Sequence, residues 1–168
     1  KRFILTPGIA DEFLERLRQK VAALRVGDPL DENTDLGPMA RLDLRDELHR
    51  QVTDSIAQGA KPVLGCAPLA GEGAFYAPSI LDQVTSRTRA YHEELFGPVA
   101  LALRARDERD ALAIANDSRF GLGSSIWSRD VERAEKLAEK IEAGGVFING
   151  MVKSDPRLPF GGVKSSGF

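Results

Sequence analysis

The sequence has little that titrates or cross-links near neutrality. It contains one cysteine, Cys66, and two histidines, His49 and His92, among 168 residues. One thiol excludes an internal disulfide framework and suits a reducing compartment, so a cytoplasmic location is expected. The cysteine and the histidines lie far apart with no ligand-like spacing, so no metal site is expected. No apolar run approaches the ~18 residues of a membrane span. The opening KRFILTPG is basic and then apolar, but its apolar stretch is too short for a signal peptide. Neither charge sign dominates: 23 basic and 25 acidic residues leave a net charge of −2. Dispersed, near-neutral charge gives no electrostatic reason to expect nucleic acid or an anionic membrane as partner. The modest cluster Arg104, Arg106, Arg109 is interleaved with Asp107, Glu108 and Asp110 and reads as a solvated helix start.

What is present is a core-forming composition, 42% hydrophobic, arranged in alternating periods. Phe3-Ile4-Leu5 reads as a short buried strand within residues 2–5. Asp11 reads as the cap of a helix carrying Phe13, Leu14, Leu17, Val21 and Leu24 on one face, broken by Gly27-Asp28-Pro29. A turn-rich loop over 28–38 precedes a second amphipathic helix at about 41–58, ending at Gly59. Residues 61–64, 78–84 and 99–104 read as strands, with a loop at 65–73 and a turn at 93–98. The remainder alternates: helix 107–116 from Asp107, strand 121–128, helix 130–142 from Asp130, strand 146–149, and a Pro/Gly-rich tail over 154–168. Strands alternating with helices of about 10–15 residues indicate βαβ units, hence an α/β fold with a mainly parallel, Rossmann-like sheet flanked by helices. No repeat, low-complexity tract or linker divides the chain, so one domain over 1–168 is expected.

Three segments carry possible chemistry. Glu93-Glu94-Leu95-Phe96-Gly97-Pro98-Val99 sets two carboxylates and an aromatic before a buried strand. Ligands of open parallel sheets bind at strand ends. A carboxylate can accept hydrogen bonds from ribose hydroxyls, and a ring can contact a planar cofactor. On the residues alone an ordinary exposed turn is the preferred reading. The tail Leu158 to Phe168, with paired glycines before Lys164, could approach a ligand or a neighbouring subunit closely, but it lacks the Walker spacing, and phosphate binding is disfavoured. Gly144 to Gly150 reads as a strand and an Asn-Gly turn.

In order, KRFIL, GDPLDENTDLGP, GAFYAPSIL, HEELFGPV, ANDSRFGLGSSIWSRD, GGVFING and PFGGVKSSGF resemble the aldehyde dehydrogenase family along the whole chain. The stretches RVGDP, LRDELHRQV, HEELFGPVA and FGGVKSSGF are most similar to bacterial NAD(P)-dependent succinate-semialdehyde dehydrogenases. The resemblance implies a small-molecule aldehyde as partner, NAD or NADP as cofactor, and a homo-oligomeric parent enzyme. It implies covalent catalysis: a cysteine thiolate attacks the aldehyde, the thiohemiacetal gives hydride to nicotinamide, and a glutamate-activated water hydrolyses the thioester. An oxyanion hole with an asparagine donor stabilises the tetrahedral species.

The resemblance also implies that no catalytic residue falls within this chain. The nucleophile would lie four residues before Lys1, with the base, the oxyanion asparagine and the cofactor loop further upstream. A C-terminal oligomerising segment would follow. The chain is therefore expected to be an incomplete, inactive part of the catalytic domain. Cys66, where the family often has glycine, is not expected to be a nucleophile. Carried over by position, Glu94 would hold the nicotinamide ribose and Phe96 would lie beside the nicotinamide. Phe160 would line the aldehyde pocket, and Ser154 would place a hydroxyl near a substrate carboxylate. Arg157 could fork onto a carboxylate but reads as a surface residue. His92 and Trp127 read as a turn residue and a strand aromatic. The rival reading is a non-catalytic, free-standing binding or structural domain, closed on itself, whereas a fragment would leave a bare sheet edge or apolar face.

Overall fold

A computed structural model describes residues 1–167; Phe168, the last residue of the expected tail, lies outside the described residues. The chain forms two compact units, Lys1–Arg106 and Asp107–Phe168. The elements are α/β, as expected from the alternating periods.

The first unit contains β1 (Arg2–Leu5), α1 (Ala10–Ala22), α2 (Leu42–Ala57), β2 (Lys61–Leu64), β3 (Ser79–Asp82), α3 (Arg89–His92) and β4 (Val99–Arg104). Its sheet has the order β1-β4-β3-β2. β1 and β3 run parallel to β4, with Arg2 opposite Leu101 and Ser79 opposite Val99. All four residues of β3 are buried, which requires cover on both faces and explains its apolar centre, Ile80-Leu81. Around Ala102 the sheet meets α1 through Leu5 and Ala10, with Phe3, Phe13 and Leu14 packed against them. The Phe3 and Phe13 rings stand 5.5 Å apart.

Several expectations shift. β2 is antiparallel to β3, because the chain returns through the loop after Leu64 with no crossover helix; a parallel partner would need one. The strand expected over 78–84 is trimmed to β3, since Gln83 turns the backbone to φ 56°. Asp11 is not a cap: Ile9 precedes α1 without a side-chain cap, and the Asp11 carboxylate instead accepts from Arg104 at 2.7 Å. α1 ends at Ala22, short of Leu24, which is 41% exposed. α2 ends as expected, with Gly59 at φ 111°. The short helix α3, ending in the expected turn residue His92, was not anticipated.

The second unit contains α4 (Glu108–Asn116), β5 (Phe120–Gly121), β6 (Gly123–Ile126), α5 (Val131–Ala138), β7 (Gly145–Ile148) and β8 (Val163–Lys164). β6, α5 and β7 form a βαβ unit with parallel strands. The N-caps are where the sequence puts them. Asp107 accepts from the Asp110 amide at 2.8 Å, and Asp130 accepts from the Arg133 amide at 3.0 Å. The single strand expected over 121–128 is split at Leu122 because Phe120 and Gly121 pair with β8 while Gly123 to Ile126 pair with β7. Trp127 follows β6 rather than lying in a strand, and it is exposed. α5 ends at Ala138, before the expected 142, and the chain winds on through turns. The paired glycines bring the chain against itself: a Cβ on Gly144 would overlap the Gly161 carbonyl oxygen.

Candidate functional site

The acidic-aromatic turn lies between α3 and β4. Its two carboxylates face different surroundings. Glu93 is tied inward: its Oε2 accepts from Gln51 Nε2 at 2.9 Å and from Arg89 Nε at 2.9 Å. Glu94 points outward, exposed, and among the described residues its carboxylate makes no hydrogen bond or ion pair. Between them and Gly97 the side chains alternate. Leu95 is buried, whereas Phe96 is 80% exposed. The turn is closed by the Gly97 amide on Leu95 O at 3.1 Å and the Val99 amide on Gly97 O at 2.8 Å. The result is a carboxylate and a bare aromatic ring two residues apart on a braced backbone.

The turn leads into the amino-terminal end of β4. The general rule for open parallel sheets favours the carboxyl ends, so strand topology alone would have placed a site at the other edge. β1 enters beside it, with the Lys1 backbone nitrogen donating to Val99 O at 3.4 Å.

Ser154 and Phe160 belong to the second unit, in a stretch without helix or strand. Ser154 is exposed and Phe160 is 48% exposed. Between them Arg157 closes its guanidinium fork on its own neighbour, with Nε and Nη2 donating to the two oxygens of Asp155 at 2.9 and 2.7 Å. That pairing lowers the Asp155 pKa. The phosphate reading of the Gly-Gly-x-Lys stretch fails on a similar commitment. Lys164 Nζ donates to Asn116 O at 2.6 Å and Ser118 O at 3.0 Å and pairs with Glu142. Asn149 clasps the backbone of Ser128 through both amide atoms. Cys66 is buried, and burial pushes its thiol pKa up.

The aldehyde dehydrogenase family model matches residues 1–168. The chain belongs to the aldehyde dehydrogenase family. It is 53% identical over 168 residues to a succinate semialdehyde dehydrogenase [NAD(P)+] of Escherichia coli strain K12, covering all of this chain and 36% of that protein. It is 47% identical over its whole length to a probable NADP+ succinate-semialdehyde dehydrogenase of Synechocystis, covering 37% of that one. Among solved structures, a succinic semialdehyde dehydrogenase from Streptococcus pyogenes with NADP+ superposes with TM-score 0.96 at 37% identity, over all of this chain and 37% of that one. A betaine aldehyde dehydrogenase from Staphylococcus aureus with NAD+ gives TM-score 0.94 at 29% identity, over 99% of this chain and 34% of that one. The chain thus spans a little over a third of the length of the curated relatives it matches.

Within this aldehyde dehydrogenase segment the sequence reading missed what braces the turn. Gln51 is 8% exposed on a helix whose other buried positions are Leu48, Val52 and Ser55. A glutamine and a serine at the core-facing phase of an amphipathic helix were the available signal, since buried polar groups need partners. Arg89 gave none: it looks like any surface arginine until α2 is folded beside it. Among the described residues no helix is long and apolar enough to cross a membrane.

Proposed function

We propose that the protein carrying these residues oxidises an aldehyde, with succinate semialdehyde as the best candidate, to its carboxylic acid using NAD or NADP. The residues of the turn fit a dinucleotide. An outward carboxylate with no partner among the described residues is an acceptor for paired ribose hydroxyls, and an uncovered ring beside it offers a face to a planar heterocycle. When bound, the nicotinamide accepts the hydride that leaves the aldehyde carbon. In this reading Glu94 fixes the ribose and Phe96 limits where the ring above it can lie. Orientation of that kind supplies much of the rate of a two-substrate reaction. In this reading these residues serve the cofactor and the substrate, and Cys66 is not assigned the nucleophile's role. Phe160 is assigned to the aldehyde pocket and Ser154 to the substrate carboxylate.

The observation that carries the reading is Glu94, unpaired among the described residues, beside exposed Phe96, on a chain matched throughout by relatives named for this reaction. The test uses the full-length protein, followed by formation of reduced cofactor with succinate semialdehyde. Glu94→Gln should raise the KM for the nicotinamide cofactor about tenfold, the scale of one lost charge-assisted hydrogen bond. Ser154→Ala should raise the KM for succinate semialdehyde more than that for butanal, which has no carboxylate. Unchanged cofactor affinity in the Glu94 variant would remove the basis of the site; equal effects on both aldehydes would remove Ser154 from it.

A further inference from the structure

The geometry points to Gln51 on α2 as a positioning residue for the cofactor turn, a role that rests on the proposed function of Glu94. Gln51 lies 42 residues before Glu93 in sequence, yet its amide nitrogen reaches the turn twice, at Glu93 Oε2 (2.9 Å) and at the backbone carbonyl of Glu94 (3.3 Å). The second contact matters most, because it grips the main chain of the residue whose carboxylate is free. A carboxylate on a turn can hold a ribose only if its backbone is fixed before the ligand arrives.

Two further features show α2 acting as a platform and not merely as a neighbour. Leu48, one turn earlier on the same face, comes so close to Gly97 that a Cβ there would stand 2.5 Å from its Cδ2. Arg89, at the start of α3, holds Glu93 from the other side at 2.9 Å and reaches back to Asp54 on α2 at 2.9 Å. Glu93 is therefore gripped by an amide from α2 and a guanidinium from α3, and its neighbour Glu94 is held by its carbonyl. The inward carboxylate anchors the turn so that the outward one can be presented.

The experiment is a double-mutant cycle in the full-length dehydrogenase, reading Kd for NAD+ and for NADP+ by fluorescence titration, kcat, and the melting temperature without ligand. Gln51→Met keeps the outline of the side chain and removes the donors. It should weaken binding of the preferred cofactor about tenfold, with the melting temperature and the KM for aldehyde little changed. Combined with Glu94→Gln, it should add much less than its single effect, because both act through one carboxylate. If the methionine variant is recovered unfolded, Gln51→Glu has the same shape and sets a second carboxylate against Glu93, with the same expected loss. A normal cofactor Kd in a folded Gln51 variant, while Glu94→Gln is impaired, overturns the positioning role alone. Full additivity of the two substitutions overturns it as well. A normal Kd in Glu94→Gln overturns the reading of the site on which it rests.

Discussion

At the residue scale the turn depends on what is missing from one position. Gly97 has no side chain, and the fully packed Leu48 of α2 occupies the space where a Cβ would stand. Leu48 is 2% exposed, so it has little room to withdraw. Gly97→Ala should therefore destabilise the protein by about 1–3 kcal/mol, the usual cost of overpacking a tight interior. Denaturant unfolding of the full chain would measure it. The same substitution pushes the turn off α2 and should weaken cofactor binding. An alanine variant with unchanged unfolding midpoint would mean that α2 and the turn are looser than this contact. The glycine in Leu-Phe-Gly-Pro was legible as a turn residue, but its reason was not. That reason is a leucine nearly fifty positions earlier, and no local pattern announces it. Gln51 and Arg89 were hidden for the same cause, whereas Glu94 and Phe96 were singled out by resemblance to the family, since the residues alone read as an ordinary exposed turn.

At the scale of elements, what was legible is what is local. Asp107 and Asp130 were read as helix starts, and each caps through its own side chain three residues on. Asp11 has the same sequence signature and does not cap. α1 begins at Ala10, so Asp11 lies inside the first turn instead of at the cap, and its carboxylate pairs with Arg104, which also binds Asp82. The two aspartates should separate cleanly on substitution. Asp107→Ala should cost about 1 kcal/mol of local helix stability, read as faster hydrogen exchange at the Asp110 amide. Asp11→Ala removes one ion pair of a mostly exposed carboxylate and should cost between about zero and 1 kcal/mol, with amide exchange in the first turn of α1 unchanged. Equal protection losses in both helices would show that Asp11 caps after all. The strands divide along the same line. Apolar runs revealed β1 and β4, but the direction of β2, the break at Leu122 and the two-residue β8 follow from pairing partners, which a single sequence does not display.

At the scale of the molecule, the question is whether the chain's own thiol could support the family's chemistry. Cys66 sits at φ 67°, a left-handed backbone that favours glycine. Its amide donates to Ser79 Oγ at 2.7 Å, and its sulfur donates to Leu64 O at 3.3 Å and Ile80 O at 3.7 Å. Burial raises the thiol pKa, and the hydrogen bonds oppose that only in part. The sign follows directly. A raised pKa keeps the proton on sulfur in the folded state, and folding is favoured until the pH climbs through the thiol range, where an unfolded chain would ionise first. At neutral pH Cys66 is a thiol held against carbonyls, the opposite of the electropositive, accessible setting of a nucleophile. Iodoacetamide should accordingly label it slowly in the native protein and fast after unfolding. In the proposed aldehyde oxidation, Cys66→Ala should leave kcat/KM of the full-length protein within about twofold, below the ~1.4 kcal/mol that a tenfold change represents. The 168-residue polypeptide alone should form no reduced cofactor from aldehyde and NAD(P)+. Turnover by that polypeptide that scales with its purity would mean that another group does the work of the nucleophile, and turnover abolished by Cys66→Ala would mean that the buried thiol becomes exposed during the reaction.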